Sequence, residues 1–472
     1  MHYHIVGIAG SGMSAIANIL LDQGHRVTGS DQQANQLTAL LESRGATVYV
    51  GHDPAYVAGA DILVATSAAH DDHPEVQAAR TAGIPVCRRA DLWRDWSQER
   101  QVIAIAGTHG KTTTTAMIAF VLTRAGMNPG FLIGSEAPDL GTNARWGDPA
   151  APLIIEADEY ARTFLALTPD IAVITNAEWD HPDVYVDAPA YYAAFTQFAS
   201  QTQTALLACG DTGAGLQQIS FVQSPARLLT YGLEDSNTYR AVLLDNQDWS
   251  LVGGQWALGD YRWSLAVPGL HNVQNALAAL GVADLLGLDA TVVAAALESF
   301  RGTTRRFETR GEVGGVTVID DYAHHPTEVR ATLAAARQRF GTRRLIAYVQ
   351  PHTYSRTLAL LEQWPTAFAD VDLVLVGAIY AARETPPDGT DAATLAQHLA
   401  EQIAVAGAGR VRPRCVTYVG SVPEATTAVQ LLLQPGDVLL TLGAGDSNQV
   451  ADGVVAFLQA NEQTKSQASK QS

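Results

Sequence analysis

The sequence predicts an α/β protein of three domains, each built on a mainly parallel sheet with helices on its faces. Apolar runs bounded by turn residues alternate with Ala/Leu-rich stretches of helical length, the pattern of parallel strands covered by helices. Three blocks open on a strand that runs into a loop: HIVGIAG from His4, VIAIAGTHGKT from Val102 and VTVIDDYAHHP from Val316. A chain of 472 residues, at roughly 100 to 200 per domain, suits that number of blocks. The polar stretches WSQERQ from Trp96 and RGTTRRFE from Arg301 divide them, so the expected domains are residues 1–98, 99–302 and 303–462. Short strands and turns from Gln217 to Val267, punctuated by Gly253, Gly254 and Gly259, are expected to decorate the middle domain. Residues 463–472 are polar and aperiodic, and are expected to be disordered.

Charge and composition narrow the function. Lys plus Arg is 30 against 48 for Asp plus Glu, and a balance of −18 repels polyphosphate backbones, so nucleic acid is not an expected partner. No apolar run approaches the roughly 18 residues of a membrane span, so membrane insertion is not expected. Cys87, Cys209 and Cys415 show neither disulfide nor metal spacing, and no leader-like segment opens the chain; a reducing cytoplasm is the expected compartment. No residue-level signature of oligomeric state is present.

In the first block, Gly7, Gly10 and Gly12 join a strand to a helix, and Asp31 follows the second strand, HRVTGSD. The spacing G-x-x-G-x-G differs from the dinucleotide pattern G-x-G-x-x-G, although a dinucleotide oxidoreductase would look similar. A helix N-terminus holds any diphosphate, so the loop points to a nucleotide without naming it, and a tight turn is the alternative.

The second block is more specific. GTHGKTTTT lies between the strand VIAIA and a helical stretch, the setting of a phosphate loop, with its first glycine closer than in G-x-x-x-x-G-K-T. Lys111 is the only lysine outside the tail, which carries Lys465 and Lys470. Backbone amides across Gly107, Thr108, His109, Gly110, Lys111, Thr112 and Thr113 would hold ATP phosphates. Lys111 would reach the terminal ones, and the Thr112 hydroxyl would ligate magnesium.

Further polar clusters follow strands. EADEY supplies Glu156, Asp158 and Glu159, and AEWDH supplies Glu178, Asp180 and His181; Glu156 and His181 are the candidate magnesium ligands, with helix capping as the plain alternative. His271 and Asn275 share a helix face, which suits a flat base or a cap. His324 and His325 are adjacent and point apart, with no third ligand at metal spacing, which argues against zinc. QPHTYSRT, with His352 and Arg356, and LGAGD, ending at Asp446, follow strand-like runs toward the same crevice.

Taken in order, GIAGSGMSA, GTHGKTTTT, EADE, TNAEWDH, HNVQNALAA, RRFE, DDYAHHPTE and PHTYSRT resemble the ATP-dependent Mur ligases of peptidoglycan synthesis over nearly the whole chain. The resemblance implies an N-terminal Rossmann-like domain for UDP, a central P-loop ATPase domain and a C-terminal Rossmann-like domain for the amino acid. It implies ATP and Mg2+ as cofactors, and UDP-N-acetylmuramate and L-alanine as substrates. Lys111 and Thr112 would then serve ATP and magnesium, Glu156 and His181 magnesium, and His271 with Asn275 the adenine. Arg306 and Asp321 would meet phosphates and ribose. Tyr322, His324 and Arg356 would form the alanine site, with Lys111, His181, His324 and Arg356 the catalytic set. Gly10, Ser11, Gly12 and Met13 would face the UDP diphosphate, with Asp31, Thr66 and Ser67 toward uridine.

Departures bear on the substrate. Tyr160 and Ala161 stand where many relatives have serine and aspartate, and Thr353 stands where some have arginine. A recycling branch that adds a preformed tripeptide shares EADEY and is the nearest rival. A non-catalytic sensor of the same fold is disfavoured because Lys111, Thr112, Glu156 and His181 are all kept. The branch with a carbamylated lysine is excluded, since no lysine lies between Lys111 and Lys465.

Overall fold

Each of the expected strand-to-loop blocks heads a sheet of its own in the computed structural model. It describes the chain apart from residues 245–247, 255, 257–261, 408–412 and 472, and only the backbone of 465–471. The fold is three-domain α/β. The chain divides into two compact units: Met1–Asp180 with Val184–Ala266 and Val273–Thr303, and His181–Asp183 with Val267–Asn272 and Thr304–Ser472. The first unit holds two sheets and the second holds one.

The N-terminal sheet has five parallel strands, β1 (His2–Val6), β2 (Arg26–Asp31), β3 (Thr47–Val50), β4 (Ile62–Ala65) and β5 (Val86–Arg88), in the order β3-β2-β1-β4-β5. The middle sheet is built from β6 (Val102–Ala106), β7 (Gly130–Leu132), β8 (Ala144–Arg145), β9 (Leu153–Glu156), β10 (Ile171–Ile174) and β11 (Ala205–Cys209). It continues through β12 (Arg227–Gly232), β13 (Tyr239–Leu243), β14 (Trp249–Val252) and β15 (Arg262–Trp263). Their order is β15-β14-β13-β12-β11-β10-β6-β9-β7-β8, so the short strands after Gln217 do extend the middle sheet at one edge. Gly253 and Gly254 turn there with positive φ, and Gly259 lies outside the described residues.

The third sheet comprises β16 (Glu308–Val313), β17 (Val316–Asp321), β18 (Leu345–Val349), β19 (Leu373–Gly377), β20 (Cys415–Gly420) and β21 (Val438–Leu442), ordered β16-β17-β21-β18-β19-β20 with only β16 antiparallel. The runs VIAIA, IAVI, LIAYV and VLLTL are buried along their whole length, because helices cover both faces and no alternation with polar residues is needed. Helix Pro326–Phe340 starts where proline suits the first turn and His325 caps it, accepting from the Thr327 amide at 3.2 Å. The adjacent histidines therefore do part company, and His325 Nδ1 is used as a cap. One expectation needs correction: the tail does not lose structure at Gln463. Helix Asn448–Gln471 continues through it, since no glycine or proline follows Gly453 to end the run. Among the described residues, no helix is long and apolar enough to cross a membrane.

Candidate functional site

In the middle sheet β10, β6 and β9 lie side by side and parallel, so the loops leaving their carboxyl ends meet at one edge. The loop after β6 is shaped by close approach. A Cβ at Gly107 (φ +141°) would stand 2.0 Å from Thr175 Oγ1, and one at Gly110 (φ +81°) would stand 2.8 Å from Asn275 Oδ1. The chain after β10 fastens it: Thr108 Oγ1 donates to the Glu178 carbonyl (2.8 Å), and the His109 amide donates to Asn176 Oδ1 (2.9 Å). His109 Nε2 lies 3.0 Å from Glu178 Oε2. Helix Lys111–Arg124 then begins, and its first-turn amides, Thr112 and Thr113 among them, have no partner within the helix.

Lys111 Nζ sits inside this loop. It donates to the carbonyls of Gly107 (2.5 Å) and Thr108 (3.1 Å) and pairs with Glu159 Oε2 at 2.7 Å. Burial alone favours the neutral amine, but the Glu159, Asp158 and Glu156 carboxylates raise the Lys111 pKa above its ordinary value, so the ammonium persists. Beside it Thr112 Oγ1 donates to Glu156 Oε1 (2.8 Å), while the Gly134 amide donates to Oε2 (2.6 Å). A cation, a helix N-terminus and two hard oxygen donors thus share one edge, a set able to hold a triphosphate and a divalent cation.

The N-terminal sheet reverses its strand order between β1 and β4, the crevice where such sheets take ligands, and the expected residues gather there. Gly7 (φ +80°) passes so near Thr66 that a Cβ would lie 2.8 Å from its methyl. Gly10 and Ser11 are exposed at the head of helix Ser11–Asp22, with Gly12 half-buried behind them. Met13 turns into the core, its amide donating to the Gly10 carbonyl (3.1 Å), because the helical period carries the third residue inward. Asp31 braces the loop, accepting from the Ala9 amide (2.9 Å) and from the Gln32 amide (2.8 Å). Arg88 donates to the Thr66 carbonyl (2.6 Å), holding the turn that contains Ser67.

In the second unit the neighbouring strands β17, β21, β18 and β19 bring a third set together. The His324 and His352 rings lie 5.5 Å apart, His352 stacks on Tyr380 at 5.6 Å, and Tyr322 meets His324 edge-on at 5.5 Å. The buried Arg356 places Nη1 3.2 Å from His352 Nδ1 and Nη2 3.4 Å from His181 Nδ1. His181 belongs to this unit, as does His271, while Thr112, Glu156 and Asn275 belong to the first. Burial, then the Arg306 charge, lowers the His271 pKa to about 4, so the ring is neutral near pH 7. Asp321 is buried and accepts from the Phe307 (2.7 Å) and Ala323 (2.8 Å) amides; burial raises its pKa to about 6 against the pull of Arg306. Gln350 donates to Asp446 at 2.5 Å, which ties the LGAGD loop to β18.

Sequence reasoning missed several groups. Glu159 stands in the quoted EADEY motif, yet its pairing with Lys111 bridges 48 positions and leaves no local trace. Arg305 (φ 59°), beside Arg306, carries no signal in the motifs; its guanidinium pairs with Asp320 (2.9 Å) and donates to the Gly443 (2.8 Å) and Gly445 (3.0 Å) carbonyls. Among the described residues, those other than glycine at positive φ fall in the segments around these sites: Ala161, Arg162, His181, Arg305, Phe307, Thr353 and Ala382. Such strain is held where the surroundings demand a particular side-chain direction. The departures Ala161 and Thr353 are among them.

Comparison with known proteins matches the three blocks to three patterns: Mur ligase family, catalytic domain (residues 2–101), Mur ligase middle domain (105–283) and Mur ligase, glutamate ligase domain (305–445). Among similar proteins, a UDP-N-acetylmuramate–L-alanine ligase from Roseiflexus sp. (strain RS-1) is 53% identical, covering 97% of this chain and 99% of that one. One of the same description from Chloroflexus aggregans is 51% identical, covering 97% and 98%. Among solved structures, the UDP-N-acetylmuramate-alanine ligase of Thermotoga maritima superimposes with a TM-score of 0.80 at 28% identity, covering 98% of this chain and 100% of that one. A murein peptide ligase from Psychrobacter arcticus gives 0.70 at 26% identity, covering 97% and 98%.

Proposed function

The chain belongs to the Mur ligase family, and from that premise we infer that it is an ATP-dependent ligase joining L-alanine to the lactyl carboxylate of UDP-N-acetylmuramate, a step of peptidoglycan precursor synthesis. The observation that carries this reading is the near-full-length identity to alanine ligases, 53% over 97% of the chain.

A carboxylate is a poor electrophile toward an amine. Its oxygen attacks the γ-phosphorus of ATP, ADP departs, and the acyl phosphate so formed carries a good leaving group. The neutral alanine amine then attacks the acyl carbon, phosphate is expelled, and the amine proton passes to solvent or a nearby base. Lys111 and the loop amides offset charge on the transferred phosphoryl group. Thr112 Oγ1 and Glu156, adjacent hard oxygen donors, fit magnesium, and His181 is proposed as a further ligand. When bound, the ion would neutralise charge shared by the β- and γ-phosphates.

Asn275, packed on Gly110, and His271 are proposed for adenine, with Arg306 and Asp321 toward the rest of the nucleotide. Arg356 offers the alanine carboxylate a planar pair of donors, flanked by Tyr322 and His324. The crevice at Gly10, Ser11 and Gly12 takes the UDP moiety. Domain boundaries near residues 98 and 302 and a cytoplasmic location, where ATP is supplied, complete the proposal.

The test is phosphate release from magnesium and ATP with UDP-N-acetylmuramate and, in turn, L-alanine, glycine, L-serine and the tripeptide L-Ala-γ-D-Glu-meso-diaminopimelate. Release that requires UDP-N-acetylmuramate and L-alanine is expected. Release with the tripeptide alone would move the protein to the recycling reaction, and no release with any acceptor would leave a sensor.

A further inference from the structure

We infer that Arg89 is the cation that meets the diphosphate of the sugar nucleotide, an assignment that rests on the UDP-N-acetylmuramate reading above. Arg89 opens helix Arg89–Glu99, and its guanidinium lies over the ring of the buried Trp93, Cζ 4.8 Å from the centroid. That cation–π contact restrains an otherwise flexible group. From there Nη1 presses on the glycine loop, 3.0 Å from where a Cβ on Gly12 would stand. Gly12 belongs to the first turn of helix Ser11–Asp22, whose leading amides carry partial positive charge.

A guanidinium held against the positive end of a helix is repelled unless an anion accompanies it. The companion here is Asp158, from the segment after β9, with Oδ2 3.3 Å from Nη2. The contact is long and both side chains are partly exposed, 25% and 33%, so the pair is a weak restraint. Asp158 also shares its segment with Glu156 and Glu159, the carboxylates of the ATP loop. Two positive features thus converge on Gly12, and Asp158, held from its other oxygen by the Tyr160 amide (3.0 Å), balances them across the 3.3 Å contact to Arg89. A diphosphate presents two or more oxygens to the planar donor fork and to the helix amides together, and so displaces the single half-buried carboxylate oxygen from the guanidinium. Arg89 then exchanges its partner in the ATP domain for the substrate.

The test is calorimetric binding of UDP and of uridine to the full-length protein, with thermal midpoints to show that each variant is folded. Arg89→Ala is expected to weaken UDP by roughly 10- to 100-fold, as for loss of a charge-assisted hydrogen bond, and to leave uridine within about twofold. Arg89→Lys should fall between, because a point charge lacks the fork. Asp158→Asn, which removes the competing anion, should tighten UDP by about two- to fivefold. Unchanged UDP affinity in Arg89→Ala overturns the assignment, and so does an equal loss of UDP and uridine, which marks a structural role. Weaker UDP binding in Asp158→Asn overturns the exchange of partners. Wild-type protein that does not bind UDP overturns the sugar-nucleotide reading, and the inference with it.

Discussion

The loop after β1 and the loop after β6 share a plan: a buried strand, a glycine at positive φ and a helix whose first amides face outward. They differ in what surrounds them. The β6 loop carries Lys111 within itself and is ringed by Glu156, Asp158 and Glu159, whereas the β1 loop has no charged side chain of its own and is met by Asp31 at Ala9 and by Arg89, from the helix after β5, at Gly12. A loop that only holds a substrate needs donors fixed in place. The proposed role of the β6 loop, where charge would move from one group to another, calls for a cation whose protonation is guarded, and the carboxylate ring supplies that guard.

The largest test of this contrast is Lys111→Ala. Turnover in the phosphate-release assay should fall on the order of 10³-fold, while UDP binding by calorimetry stays within about twofold. A parallel loss of UDP affinity in a folded variant would merge the two loops into one site. Glu159→Gln comes next, with turnover down roughly 10- to 100-fold, the usual cost of losing a group that orients another. The sign of its pH effect follows from Lys111. A raised folded-state pKa gives stability that is present below the unfolded value of 10.5 and is lost as pH rises through the folded value. Without Glu159 burial is less opposed, so the alkaline limb of the kcat profile should move to lower pH. An alkaline limb that does not move would show that Glu159 does not set the charge of Lys111.

The glycines sharpen the contrast at smaller scale. Gly107→Ala would press a methyl onto Thr175 Oγ1 and should destabilise the protein by about 1–3 kcal/mol in thermal or urea unfolding. Gly10→Ala meets only the Gly7 carbonyl at 3.4 Å, with φ −70°, and should change stability by less than about 0.5 kcal/mol. Equal costs at the two positions would mean that the loops are constrained alike.

The fold was legible because its strands are short apolar runs ending in glycine or acidic punctuation, and the adjacency of β10, β6 and β9 puts the quoted motifs at one edge as that pattern predicts. Lys111, Thr112 and Glu156 were legible for the same reason: Glu156 ends strand β9, and Lys111 and Thr112 open the helix just past the loop that follows β6. Arg305 and Arg89 were not, since Arg305 reaches a loop 138 residues away and Arg89 an aspartate 69 away, and only the folded chain brings them together. Met13 came with Gly10, Ser11 and Gly12 through the resemblance; its side chain is turned inward by helical phase, which no motif announces. The tail was misread because polarity was taken as a stop, although its residues are permissive of helix.

The scarcity of lysine turns the β6 loop into its own reporter of local opening. A protease specific for lysine finds only Lys111 within the body of the chain, with Lys465 and Lys470 at the end. In the folded state Lys111 is wrapped by the loop carbonyls and by Glu159, so cutting there requires the loop and the start of its helix to come apart. Each cleavage at that bond therefore counts one opening of the β6 loop, and ATP bound there, as proposed, should slow the count in proportion to its occupancy.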